Sequence, residues 1–258
     1  MIKCYLINLN KDHERLNFFT TNFKRLGIEF ERIAAVDGRT FSEQDFQAFL
    51  KDRPRSNNKT WMRGQMGCFL SHEAAWNKIA QSNERFSAVF EDDVHISDDL
   101  KSILIDDNWI PDDVDIIRLE TSTNRVQLSL RPILTHAKRK MYGVKSTTWC
   151  TGGYLINRRA ARQLIELPPQ HHHPSDVILF NFEDSTIAKK LNILQCFPAV
   201  CTQDKHLSSG NLQFSSNVEL DESASPLSLA MKIKQANPAT ITSGLWRALQ
   251  GYKRITFE

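Results

Sequence analysis

Phe86-Ser87-Ala88-Val89-Phe90, followed at once by Glu91-Asp92-Asp93, is the stretch on which the reading of this chain turns. The apolar run has the length and composition of a core strand, and it ends where three carboxylates begin. Ligands of open α/β sheets bind outside the C-terminal ends of the strands. Carboxylates crowded there repel one another unless a cation sits among them, and hard divalent ions such as Mn²⁺ or Mg²⁺ take oxygen ligands while bridging to phosphate. The stretch therefore outlines a nucleotide-diphosphate site. An acidic turn after a strand is the competing reading.

Working outward, Ile2 to Leu9 is a compact apolar run suited to a first, central strand, and Asp12 to Leu26 carries Leu16, Phe19, Phe23 and Leu26 at helical spacing. Strand then helix suggests a nucleotide-binding α/β layer. Phe30 to Val36 reads as a second strand closed by the Asp37-Gly38 turn signal, Phe41 to Leu50 as a short amphipathic helix, Lys51 to Lys59 as a polar loop, and Gln65 to Ala80 as a helix. Beyond the acidic motif, Val114 to Leu119 reads as a buried strand. Thr121 to Lys140 is polar, basic and aperiodic, the character of a functional flap. Val144 to Thr148 and Gly153 to Asn157 are strand candidates. Arg158 to Leu167 and Ser175 to Phe182 are helix candidates, and Leu191 to Cys201 is a last strand interrupted at Pro198.

The 258 residues suit one large domain with an appendage: 1–210 as the catalytic layer, 211–258 as a linker and C-terminal extension. Hydrophobic residues at 41% and charged residues at 24% describe an ordinary globular protein. A net charge of +3, without a Lys/Arg-dense stretch interleaved with aromatics, argues against nucleic acid. The five cysteines are scattered in apolar surroundings without CxxC spacing, as reduced core residues are. The N-terminal run is too short for a signal-peptide core, and no window reaches transmembrane length, so the expected compartment is the cytoplasm.

The motifs come in a telling order: Ile7-Asn8-Leu9 with Arg15, Ala35-x-Asp37-Gly38, Gly64-x-x-Gly67-Cys68-x-x-Ser71-His72-x-x-x-Trp76, Glu91-Asp92-Asp93, Thr151-x-x-Tyr154-Leu155-Ile156 with Ala160, Pro174-x-Asp176, and Pro198-x-Val200-x-x-Gln203. Over roughly residues 1 to 206 this set resembles glycosyltransferase family 25, the lipopolysaccharide and lipooligosaccharide galactosyltransferases and their collagen-modifying relatives. The resemblance implies a GT-A fold, a Rossmann-like α/β/α sandwich with a mostly parallel central sheet that binds a nucleotide sugar. It also implies a divalent cation on the Glu-Asp-Asp motif and an inverting transfer of galactose or a related hexose from a UDP-sugar, with UDP-glucose and UDP-N-acetylhexosamine as alternative donors. A non-catalytic relative that binds sugar or organises an assembly is the rival, against which the intact Glu91, Asp93 and Asp176 speak.

Roles follow from that chemistry. Asp93 first and Asp92 with it are expected to ligate the metal, Asp92 or Glu91 otherwise reaching ribose or a metal-bound water, and Glu91 has a turn cap as its alternative. His206 is expected to add an imidazole, with Asp204 as its substitute. Asp176 is the expected general base, competing with a plain helix N-terminal charge. Asn8, Arg15 and Asp37 are expected at uridine and ribose, Ser71 and His72 at phosphate or sugar, and Tyr154 at the acceptor, while Trp76 belongs to the core. His171, His172 and His173 read as a solvated loop. Arg125, Arg131, Lys138, Arg139 and Lys140 either hold an anion or form a solvated basic flap. The extension from Pro226 to Glu258 sets Lys232, Lys234, Arg247, Lys253 and Arg254 among Leu227, Leu229, Met231, Ile233, Leu245, Trp246 and Leu249. That pattern suits peripheral contact with the inner membrane, where a glycolipid oligosaccharide acceptor resides, or a helix packed on the domain.

Overall fold

A computed structural model describes residues 1–53, 61–207, 214 and 250–258. The chain runs β1 (Lys3–Asn8), α1 (His13–Leu26), β2 (Glu31–Ala34), α2 (Glu43–Leu50), α3 (Arg63–Gln81), β3 (Phe86–Glu91), β4 (Val94–Ile96), α4 (Leu100–Leu104), β5 (Ile116–Arg118), β6 (Glu120–Thr121) and β7 (Arg125–Gln127). It continues with β8 (Leu134–His136), β9 (Arg139–Gly143), β10 (Gly153–Asn157), α5 (Arg158–Ile165), α6 (Ser175–Phe180), β11 (Ile193–Phe197), β12 (Cys201–Gln203) and β13 (Tyr252–Arg254). Eight strands form the central sheet in the order β2-β1-β3-β10-β5-β11-β9-β8. The pairings leave β2, β1, β3, β5, β11 and β8 running one way, with β10 and β9 reversed. This is the sandwich with a mostly parallel sheet that the sequence calls for.

The period-2 alternation of the strands sorts their side chains into two cores. On β1, Cys4 and Leu6 join Phe19 and Phe23 of α1 and Leu100, Ile103 and Leu104 of α4 on one face. Tyr5 and Ile7 join Phe69, Trp76 and Ile79 of α3 and Leu164 of α5 on the other. Strands covered on both faces lack a polar side, which is why the run before Glu91 reads as continuously apolar. The helix starts have local causes: the Ser42 hydroxyl caps α2 on the Asp45 amide at 3.1 Å, and Asn157 Oδ1 caps α5 on the Ala160 amide at 2.6 Å. α1 ends at Gly27 in the left-handed region, φ 63°.

Four expectations need correction. The stretch from Thr121 to Lys140 is a ladder of short strands rather than an aperiodic flap, and the β8–β9 hairpin closes the sheet edge. Its basic residues are not uniformly solvated: Arg139 is buried, donating to Asp99 at 2.7 Å and to the Glu258 carbonyl at 2.9 Å. The strand expected over Val144 to Thr148 lies earlier, as β9, and Val144 makes only an isolated bridge to Leu128. His172 and His173 are buried, and His172 donates from Nε2 to the Leu167 carbonyl at 2.9 Å while packing on Phe69.

Most of the basic extension, residues 226–249, lies outside the described residues, and so do residues 54–59 of the expected polar loop. The extension's end is described: β13 pairs antiparallel with β7, and Ile255 is buried in the core beneath it. Among the described residues, no helix is long and apolar enough to cross a membrane.

Candidate active site

β1 and β3 run side by side and end together, so Asn8 and the Glu91-Asp92-Asp93 run open onto one cavity at the C-terminal edge of the sheet. Its other walls are the Ala35–Arg39 turn after β2, the first turns of α3 with Gly64, Cys68, Ser71 and His72, Arg15 from α1, and Gln203 and Lys205 after β12. Helix and turn approach because neither carries a side chain where they cross. A Cβ on Gly67 would stand 2.5 Å from the Val36 carbonyl, and one on Gly38 would stand 1.7 Å from that of Arg63. The Ser71 hydroxyl locks the crossing by accepting from the Val36 amide at 2.9 Å and donating to the Gly67 carbonyl at 2.6 Å. Ser71, expected at phosphate or sugar, is thus a clamp between elements.

The three acids differ in what already holds them. Asp92 is buried, taking Asn8 Nδ2 at 2.7 Å on one oxygen and Arg15 at 3.0 Å on the other. Burial pushes its carboxyl upward against the pull of Arg15. Asn8 Oδ1 in turn accepts from Arg32 at 2.8 Å. Asn8 and Arg15, expected at the nucleoside, line the cavity, and each donates to Asp92.

Glu91 accepts from His72 Nε2 at 3.1 Å and Thr151 Oγ1 at 2.7 Å on one oxygen, and from Gln203 Nε2 at 2.9 Å on the other. Burial raises its carboxyl, but the bond and charge of His72 and the Thr151 hydroxyl outweigh that and hold it below the ordinary value. Asp93 takes only a long 3.3 Å bond from Gln203 among the described residues. Burial and the neighbouring Glu91 charge push it up to about 7.

His72 heads a buried relay. The Trp76 indole donates to the Tyr154 hydroxyl at 2.9 Å, that hydroxyl lies in hydrogen-bond contact with His72 Nδ1 at 2.9 Å, and Nε2 on the far side of the ring faces Glu91. Tyr154 is fully buried. The acceptor contact expected of it is therefore corrected: it orients His72 from behind. Cys68, His72 and Glu91 bring ligand-type atoms within 4.8 Å of one another. Both ring nitrogens of His72 are engaged, the Cys68 thiol touches Ser175 rather than either of the other two, and burial pushes that thiol far above its ordinary value.

Asp37 stands at the rim, paired with Lys11 at 2.6 Å and Arg39 at 2.8 Å, and the Arg39 bond holds it far below the ordinary value. Asp176, in the first turn of α6, is mostly shielded from solvent. Burial raises its carboxyl, opposed by backbone N–H groups of Cys150 and Val177. The adjacent Ser175 hydroxyl touches the thiol of Cys68, a cavity-lining residue, at 3.4 Å, while Asp176 itself is not among the described residues that line the cavity. Asp204 is unsuited to a metal, since its oxygens accept from His95 at 2.8 Å and the Phe214 amide at 2.9 Å. His206 sits in the next turn with Nε2 3.6 Å from the Cys150 thiol.

Thr151, Gln203, Arg39 and Lys205 belong to the site although sequence reasoning gave them no role. Thr151 and Gln203 stand inside motifs that carried the resemblance, which was the available signal. Arg39 and Lys205 follow turn signals and look like ordinary surface cations.

Comparison with known proteins agrees with the resemblance. A family model described as glycosyltransferase family 25 (LPS biosynthesis protein) matches residues 1–179. The chain is 28% identical over 260 residues to the lacto-N-neotetraose biosynthesis glycosyltransferase LgtB of Neisseria meningitidis serogroup B, covering 97% of this chain and 93% of that protein. It is 30% identical over 231 residues to LgtE of the same organism, covering 84% and 80%. Among solved structures, a glycosyltransferase involved in glycosylation of the major capsid of PBCV-1 superposes with a TM-score of 0.40 at 9% identity, covering 84% of this chain and 95% of that one. With the family's model spanning more than half of its length, the chain belongs to glycosyltransferase family 25.

Proposed function

We propose that this glycosyltransferase moves a hexose, galactose in the first instance, from a UDP-sugar to the oligosaccharide of a bacterial lipopolysaccharide or lipooligosaccharide, with inversion and with a divalent cation. The observation that carries the reading is Asp93, a strand-end carboxylate with spare oxygens in a cavity whose other acids are already engaged. Its fit to Mn²⁺ or Mg²⁺ is supported by the buried Gln203 Oε1, which has no hydrogen-bond partner among the described residues. An oxygen without a donor beside a carboxylate crowded by burial and the Glu91 charge matches the donor set of a hard cation. Asp93 and Gln203 would hold the ion, with His206 as the further protein donor. Asp92, also expected as a ligand, instead orients the segment through Asn8 and Arg15. A cation bound there supplies Lewis-acid stabilisation of the negative charge growing on the leaving diphosphate.

The chain's own groups supply the rest. Lys205 and Arg39 at the cavity wall offer positive charge to the diphosphate. Asp176 takes the proton of the attacking acceptor hydroxyl, and its upward shift by burial favours a base that works near neutral pH. The relay through His72 fixes Glu91 so that its neighbours stand in one geometry. The family's description as LPS biosynthesis proteins, and a Haemophilus influenzae relative named lipooligosaccharide biosynthesis protein lic2B, support the acceptor class.

The test is UDP release from a panel of UDP-sugars with Mn²⁺, with and without acceptor glycolipid, paired with thermal shift. A donor at a hundred times its Kd should stabilise the protein by roughly 2.7 kcal/mol. Full activity in EDTA would remove the metal from the reading. Inertness toward every UDP-sugar would leave a binding protein.

A further inference from the structure

We propose that Glu120 is a positioning residue for transfer, holding the Cys150–Gly152 turn that engages Glu91 through a hydroxyl and a carbonyl. Glu120 is 1% exposed, and its Oε2 accepts from the Gly152 amide at 2.6 Å. Thr151 donates its hydroxyl to Glu91 at 2.7 Å, and the Gly152 carbonyl accepts from the Glu91 amide at 3.0 Å. One turn thus holds the first acid of the strand-end motif by two bonds. Glu120 does not reach the reacting groups directly.

The turn is strained, which is why it needs a holder. Cys150 has φ 74°, in the left-handed region that a side chain with a Cβ rarely adopts, and such residues persist only where the surroundings over-determine them. The preceding residues are gripped by buried Arg118, which donates to the Trp149 carbonyl at 2.6 Å and to the Thr148 hydroxyl at 3.0 Å. Gln195 ties that arginine to the Glu120 backbone, accepting from the guanidinium at 2.9 Å and donating to the Glu120 carbonyl at 3.0 Å. Glu120 supplies the grip on the far side. Glycine is required where they meet, since a Cβ on Gly152 would stand 2.9 Å from Glu120 Oε1. Burial pushes the Glu120 carboxyl up to about 8, so the neutral amide of glutamine is a close stand-in for it.

The inference rests on the proposed transfer, and the experiment separates the two. In the full chain, Glu120→Met fills the same volume without an acceptor. It should lower kcat by about 10²-fold, as small misplacements of reacting groups do, while leaving donor KM nearly unchanged. It should also speed deuterium uptake at the 149–152 amides. Glu120→Gln should restore both turnover and protection. Unchanged kcat in Glu120→Met, or Glu120→Gln impaired as severely as Glu120→Met, overturns the proposal. If Glu120→Met does not fold, Thr151→Val probes the same turn, and it must lower kcat with donor KM retained or the proposal fails. Full turnover in Asp176→Asn would sink the base assignment alone, because the exchange measurement reports on the turn whatever the base is.

Discussion

Asp93 differs from its two neighbours in having so little else to hold, and that difference makes it the residue on which donor binding should depend. Asp93→Ala is expected to abolish transfer and Mn²⁺-dependent UDP binding with the fold intact, read by calorimetric titration beside a circular-dichroism melt. Unfolding of the variant would count against a site role. Asp176→Asn keeps shape and hydrogen bonding but accepts no proton, so turnover should fall on the order of 10²-fold or more with donor binding retained. Its stability has a definite sign as well. Burial lets folded Asp176 keep its proton to higher pH than the unfolded chain does, so folding takes up a proton in that window and wild-type stability falls as pH rises through it. Urea unfolding across the acid range should show the balance between Asp176→Asn and wild type moving in the variant's favour as pH climbs, and a flat difference would mean the carboxyl is not shifted. The Glu-Asp-Asp run was legible because it is local. What surrounds it was not: Thr151 and Gln203 reach Glu91 across 60 and 112 positions of chain, and no spacing rule joins residues so far apart.

At the scale of elements, the helix–turn crossing at Gly38 and Gly67 sets how wide the cavity opens. Gly67→Ala places a methyl 2.5 Å from the Val36 carbonyl, and overpacking of this kind costs about 1–3 kcal/mol. The expected outcome is a lower denaturation midpoint together with weaker UDP binding, since the displaced turn carries Asp37 and Arg39. Weakened binding without any loss of stability would mean that the turn yields freely. The major helices and strands were readable from apolar period and caps. The β8–β9 hairpin was missed for a physical reason: its turn places Ala137 at φ 48° and Lys138 at φ 63°, a conformation usually announced by Asn or Gly. With neither present, a hairpin looked like a basic loop.

For the whole molecule, the boundary drawn near residue 210 is crossed by the last strand. Ile255 is buried, its carbonyl accepts from the Thr121 hydroxyl at 2.7 Å, and Phe257 bridges to Ala199. Removing residues 252–258 should therefore lower stability by at least the roughly 1.5–3 kcal/mol that one buried aliphatic side chain is worth, visible as a fall in Tm. A truncated protein as stable as the full chain would show that β13 is an ornament. The reversal of β10 within the sheet reaches further still. Where its parallel neighbours reach the catalytic edge only by leaving the sheet, β10 enters there, so the chain meets the acids once on the way out of β3 and once on the way into β10. The segment between β9 and β10 is thus part of the acids' own setting, since Thr151 and Gly152 bond Glu91 while Arg118 holds Thr148 and Trp149. Exchanging it would disturb the acids it touches, so variation suited to another substrate has to enter this scaffold elsewhere along the rim.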